Sequence, residues 1–349
     1  MTTTSPGRAP TIRAASYSIR LDRRAIVVGC ALVLATLLAS VLTLATGDFP
    51  IPPAEVIRTL TGGGTGTDSF VIMTLRLPRL TTAILVGAAL GVGGAVFQSL
   101  THNPLGSPDI VGFNTGAATG ALVAILLLKG SMTEASIGAL IGGIATAMAV
   151  YLLAIRRGVQ GNRLILIGIG IAAMLTSVNW YLLTRADVTD AQAAAAWITG
   201  SLNGRTWDHA VEIAWAVAIL LPAAMWCGRG LRVLQLGDDA ATGLGARVEG
   251  IRLASILVGI GITAIAISVA GPIAFIALAA PQVAHRLTRS AGPDILPSAL
   301  TGTFLLVAAD LAAQRVFSPM QIPVGVATGA IGGVYLAWLL SREWRKGRG

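Results

Sequence analysis

Leu80-Thr-Thr-Ala-Ile-Leu-Val-Gly-Ala-Ala-Leu-Gly-Val-Gly-Gly-Ala-Val-Phe-Gln-Ser-Leu100 contains no charged residue. At 1.5 Å per residue it is long enough to cross the roughly 30 Å hydrocarbon core of a bilayer as one α-helix. Lipid offers no partner to backbone N–H and C=O groups, so a single segment of this kind has to be helical. Outward from it, further apolar runs lie near 24–46, 112–128, 134–155, 164–184, 209–228, 252–270, 273–289, 295–314 and 322–341. Those at 112–128 and 273–289 are short and broken by Gly or Pro.

The whole chain follows the same solvent. Of its 349 residues 54% are hydrophobic and only 12% charged, against about 25% charged in an ordinary soluble domain. The expected fold is all-α, a polytopic transmembrane helical bundle of about ten spans. It divides into a cytoplasmic N-terminal tail (1–23), one membrane domain (24–341) and a cytoplasmic C-terminal tail (342–349). The run Ala25–Thr46 follows Arg20, Arg23 and Arg24 but exceeds the roughly 7–15 residue core of a secretory signal, so it reads as the first span.

Charge sets the orientation. With both termini cytoplasmic, eighteen of the 25 basic residues fall inside; only Arg58, Arg76, Arg79, Lys129, Arg185, Arg205 and Arg315 fall outside. That asymmetry is what the positive-inside rule requires, and an odd number of spans would destroy it. The basic residues lie between apolar runs rather than in one patch, which argues against nucleic acid as a partner.

Small residues recur four apart at Gly87 and Gly91, at Gly112, Gly116 and Gly120, at Gly138 and Gly142, and at Gly325, Gly329 and Gly333. This spacing lets membrane helices approach closely. The segment Gly62-Gly63-Gly64-Thr65-Gly66-Thr67 reads as a flexible surface linker.

Catalytic chemistry has no foothold. Cys30 and Cys227 are isolated within apolar runs, and His102, His209 and His285 are scattered. Neither a metal-ligand spacing nor a paired-carboxylate cluster appears. The chain also lacks the Gly-x-x-x-x-Gly-Lys-Ser/Thr pattern, so a nucleotide driving its function binds another chain.

Three segments stand out. Asn103-Pro-Leu-Gly-Ser-Pro-Asp109, followed by Gly112-Phe-Asn-Thr-Gly116, reads either as a tight cytoplasmic turn or as a broken helix lining a path. Leu231 to Arg247 is the longest cytoplasmic connection, with an Asp238-Asp239 helix start and a Gly stop. It is a plain connector or a knob for a soluble partner. At the outer mouth, Arg76-Leu-Pro-Arg79 precedes the second span and Arg315 follows the ninth. Outer arginines either snorkel to the interface or meet carboxylates of a partner.

Together these segments resemble the iron-chelate and cobalamin permeases of binding-protein-dependent ABC importers, the FecCD type, and within it the ferric-enterobactin branch. The likeness rests on Arg76-Leu-Pro-Arg79, on Gly87 to Leu100, on Asn103 to Gly116, and on Gly200-Ser-Leu-Asn-Gly204. Gly271-Pro-Ile-Ala-Phe275, Ala309-Asp310 and Pro323-Val-Gly-Val326 extend it over nearly the whole chain after residue 20.

The resemblance implies an inner-membrane permease that moves a ferric siderophore of catecholate type by alternating access. Cobalamin or haem would be the alternative cargo. Two ATPases, carrying ATP-Mg, would grip Leu236, Gly237, Asp238, Asp239, Ala240, Leu244 and Gly245. A periplasmic or lipid-anchored binding protein would dock on Arg76, Arg79 and Arg315. A second permease, a different sister chain rather than another copy, would complete the path, which Gln98, Asn103, Pro104, Pro108, Asn114 and Gly116 would line or gate. No cofactor is expected in this chain itself.

The sequence departs from the family pattern in two places. Gln314 stands where cobalamin-type members carry a third arginine, with Arg315 beside it, and Pro281-Gln282 stands where Pro-His is usual. A reading from another class, an ion-coupled secondary transporter, needs carboxylates within the spans. Asp310, near the outer end of its span, stands alone in the sequence.

Overall fold

The computed structural model describes residues 11–14, 17–20, 22–64, 66–109, 112–154, 161–290, 292–316 and 321–346. Arg8, Arg156, Arg157 and Arg348, counted above as cytoplasmic, lie outside the described residues.

A short antiparallel ladder pairs β1 (Thr11–Ala14) with β2 (Tyr17–Arg20); among the described residues every later element is a helix. Asp22 caps α1 (Arg23–Ala45) by accepting from the Arg24 N–H at 2.9 Å. Its side chain thereby satisfies one of the helix's orphan donors. Two short helices follow, α2 (Pro53–Leu60) and α3 (Gly66–Phe70). Gly66 and Thr67, expected in a linker, therefore open a helix.

That helix runs on through a π-helical turn, Val71–Arg76, into α4 (Leu77–Thr101). Arg76 and Arg79 thus lie within a continuous helix, not ahead of one as the sequence suggests. Pro78 supplies the reason, since its missing N–H and its ring disrupt the ordinary ladder four residues back. The wider turn absorbs this, with the Leu77 N–H reaching Ile72 O five residues back.

Seven helices are long and apolar enough to cross a membrane among the described residues. They are α1, the composite of α3 and α4, α6 (Met132–Ala154), α7 (Gly161–Arg185), α9 (Trp207–Leu234), α11 (Val248–Ala270) and α13 (Ile295–Arg315). The other three expected spans correspond to α5 (Phe113–Leu122, continued by a π-helical turn to Leu127), α12 (Ile276–Thr288) and α14 (Val324–Lys346). Outside the spans lie α8 (Val188–Ile198) and α10 (Asp238–Gly243). Fifteen and thirteen residues give the α5 unit and α12 only about 22 and 20 Å of helix. Neither bridges about 30 Å of hydrocarbon alone.

The centre of the molecule is α4. Buried residues make up 78% of its apolar stretch, against 17% for α1 and α7. It packs on α9, α11, α12 and α13, and glycine makes those approaches possible. A Cβ on Gly94 would stand 1.7 Å from Ala277 O, and one on Gly91 2.2 Å from Ser298 O. Likewise α5 and α6 meet backbone to backbone through Gly116 and Gly120 against Gly142 and Gly138.

The glycine reading needs correcting at three positions. Gly112 serves conformation, with φ +89 at the start of α5. Gly329 and Gly333 meet no neighbour within 4 Å among the described residues.

Helix ends assigned to one side of the membrane meet each other. Arg24 Nε at the start of α1 donates to Leu287 O at the end of α12, and His102 Nε2 lies 3.2 Å from Leu234 O. On the opposite side Lys129 pairs with Asp190.

Candidate functional site

The outer ends of α1, α4, α9 and α13 enclose a cavity of about 430 Å³ lined by Asp48, Arg76, Arg79, Arg205, Gln314 and Arg315 among others. Its arginines differ in state. Arg79 donates from Nε and Nη2 to Asp310 Oδ2 and Oδ1 at 3.0 and 2.7 Å, a bidentate pair. Gln314 Nε2 adds a third donor to Asp310 at 2.7 Å. Asp310 does not stand alone, then. It is only 2% exposed and paired with Arg79 from α4.

Arg76 instead holds two backbone carbonyls, Leu44 O at 2.6 Å and Phe49 O at 2.5 Å. Carbonyls accept hydrogen bonds without cancelling charge, so the charge compensation Arg76 has comes from Asp48 on the same cavity wall. Arg315 is near enough to repel it, and the buried Arg315 Nε has no hydrogen-bond partner among the described residues. Arg205 joins from the loop before α9; burial lowers its pKa while Glu212 opposes the shift. The sequence marked Arg205 only as an outer basic residue. That it enters the same cavity depends on a contact between α4 and α9.

The break between α4 and α5 is ordered by its own polar groups. Asn103 Oδ1 accepts from Leu105 N, and Asn103 O from Gly106 N, both at 2.9 Å. Gln98 Nε2 donates to Leu278 O, while Gln282 Nε2 donates to both Gln98 Oε1 and Pro104 O, each at 2.9 Å. Gln282, where the sequence departs from Pro-His, thus ties α4, the break and α12 together. Further along, Asn114 Nδ2 donates to Asp109 Oδ1 at 2.7 Å, and Pro108 O accepts from Phe113 N at 3.3 Å.

Five of the six expected path residues therefore gather around this break. Gly116 does not, because it faces Thr146 and Gly142 on α6. Gln98, Asn103, Pro104 and Gln282 line a cavity of about 400 Å³ that also takes in His102, His285 and Asp294. A non-helical stretch carrying polar groups therefore lies beside this cavity, between α4 and α5.

On the cytoplasmic side, α10 is the short helix the Asp-Asp start implies. Gly237 (φ +95) and Gly245 (φ +81) flank it. Leu236 and Leu244 are 63% and 69% exposed, and Asp238, Asp239 and Ala240 are exposed with them. The sequence did not single out Arg252. It is 8% exposed, donates from Nη2 to both oxygens of Asp238 at 3.0 Å, and donates from Nη1 to Glu249 at 3.2 Å. It ties α10 to α11.

The model of the FecCD transport family matches residues 32–342. The chain belongs to the FecCD transport family. The chain also matches curated relatives over most of their length. The ferric enterobactin transport system permease protein FepG of Escherichia coli (strain K12) is 45% identical over 94% of this chain and 99% of its own. The iron(3+)-hydroxamate import system permease protein FhuG of Bacillus subtilis (strain 168) is 36% identical, over 86% and 92%. The Fe(3+) dicitrate transport system permease protein FecD of E. coli is 37% identical, over 90% and 95%. Among solved structures, an inward-facing metal-chelate type ABC transporter superposes with a TM-score of 0.81 over 91% of this chain and 99% of its own. At 23% identity that match shows the fold alone: a polytopic helical bundle.

Proposed function

We propose that this chain is the membrane-spanning permease subunit of an ATP-driven importer that carries a ferric siderophore of the catecholate type across the inner membrane. The observation that carries the reading is the full-length likeness to the ferric enterobactin permease FepG. Hydroxamate and citrate permeases follow at lower identity. Moving a bulky chelate takes gating between two packed states, not bond chemistry in this chain.

ATP-Mg belongs to two partner ATPases, which receive α10 with Leu236 and Leu244. A binding protein offers acidic side chains to the outer cavity, where Arg76 and Arg315 carry the charge and Arg79 is the buried support between α4 and α13. A different permease chain completes the path.

The test is uptake in iron-limited cells lacking this chain, using radiolabelled ferric catecholate, hydroxamate, citrate and cobalamin, with the intact gene returned. Loss of the catecholate alone is expected. Loss of another cargo alone would reassign the substrate, and unchanged uptake of all four would overturn the importer reading.

A further inference from the structure

Among the described residues, five other than glycine have positive φ. His102, Arg289 and Asp294 have ψ between 31 and 38, the ordinary left-handed basin that polar residues visit. Phe275 differs, with φ +78 and ψ −33, a conformation a bulky aromatic residue adopts only where its surroundings hold it.

Three contacts do so. The Phe275 N–H donates to Asp109 Oδ2 at 3.3 Å across 166 residues of sequence. Its carbonyl accepts from Leu278 N and Ala279 N at 3.1 and 2.8 Å and so starts α12. Its ring lies against α14: a Cβ on Gly332 would stand 2.2 Å from Phe275 Cγ, and Tyr335 meets the ring edge-on at 5.8 Å. Beside the ring lies an apolar cavity of about 270 Å³, lined by Ile276, Ala279, Leu305, Ala309 and Ile331 among others.

We propose that Asp109 and Phe275 form a latch between the α4–α5 break and α12, which keeps Phe275 strained and its ring seated on α14 in one state of the transport cycle. When the break moves relative to α12, the Asp109 bond opens and Phe275 relaxes to negative φ. The ring then leaves Gly332 for the adjoining cavity, and the first turn of α12 re-aims. Gln282, two turns along the same helix, stays tied to Pro104 O and Gln98, so movement of the break reaches α12 at two points. Both latch residues are positioning residues. The inference rests on the transport reading above.

The experiment compares Asp109→Leu, Asp109→Asn and Phe275→Gly in the complete importer, reading chelate moved per ATP hydrolysed and amide exchange across residues 271–279. Asp109→Leu removes the acceptor. It is expected to raise exchange at Phe275 and to lower transport per ATP by about tenfold, the scale that strain of this class supports. Asp109→Asn keeps an acceptor oxygen and is expected to restore most of both. Phe275→Gly keeps the N–H but removes strain and ring, so exchange should stay low while transport per ATP falls.

Wild-type exchange and coupling in Asp109→Leu would overturn the latch, as would full coupling in Phe275→Gly. If Asp109→Leu does not reach the membrane, Phe275→Gly decides alone. Failure of the wild-type importer to move any ferric chelate would instead sink the transport reading, and amide exchange would still test the latch.

Discussion

The outer cavity and the cytoplasmic loop each hold an arginine–carboxylate pair, and the two pairs do opposite things. Arg79 and Asp310 are 14% and 2% exposed, so their bond joins two spanning helices inside the bundle. Arg252 is equally hidden at 9%, but Asp238 is 56% exposed and sits on a short helix that projects from the bundle. The first pair fixes an internal contact. The second ties an exposed knob to the root of a spanning helix, where a push on α10 reaches α11. Burial of the arginine therefore does not separate the two pairs; the exposure of the partner does.

The comparison breaks most visibly at Asp310. Asp310→Ala leaves Arg79 buried and unpaired, which costs on the order of 3–5 kcal/mol. Thermal unfolding of the purified permease should register that loss, and Arg79→Met combined with Asp310→Leu should recover much of it. A single variant of wild-type stability would mean that the pair is not closed off from water.

Arg76 sharpens the same contrast from the outer side. Arg76→Glu gives up both bonds to carbonyls but breaks no ion pair, so it should cost less stability than Asp310→Ala while weakening binding-protein docking by about tenfold or more. Surface plasmon resonance on the reconstituted permease at two salt concentrations measures this. Equal affinity for variant and wild type would remove Arg76 from the interface.

The smallest expected effect on stability is at the cytoplasmic pair. With Asp238 mostly in water, Arg252→Ala should cost about 1 kcal/mol or less in stability. Uptake per ATP should nonetheless fall, because α10 loses its strut. A large melting shift with normal coupling would reverse the assignment of the two pairs.

The glycines show how far reading the sequence went. Spacing of four flagged Gly87, Gly91, Gly116, Gly120, Gly138 and Gly142, and all six pack against neighbouring backbone or side chains. The same spacing flagged Gly329 and Gly333, which meet nothing among the described residues, since periodicity marks a face without saying what lies opposite. Gln282 was visible only as a departure from a pattern; its place between Gln98 and Pro104 O required α12 to come down beside α4.

What the sequence determined by itself was the solvent and the helical class, and it set an expected orientation. Apolar run length and the placement of basic residues are local quantities read directly against a bilayer. Tertiary structure alone decided which arginine is neutralised, which glycine is crowded and which aromatic residue is strained. Arg79 meets Asp310 across 231 residues and Asp109 meets Phe275 across 166. No window along the chain contains both partners, so the state of each group exists only once the helices have packed.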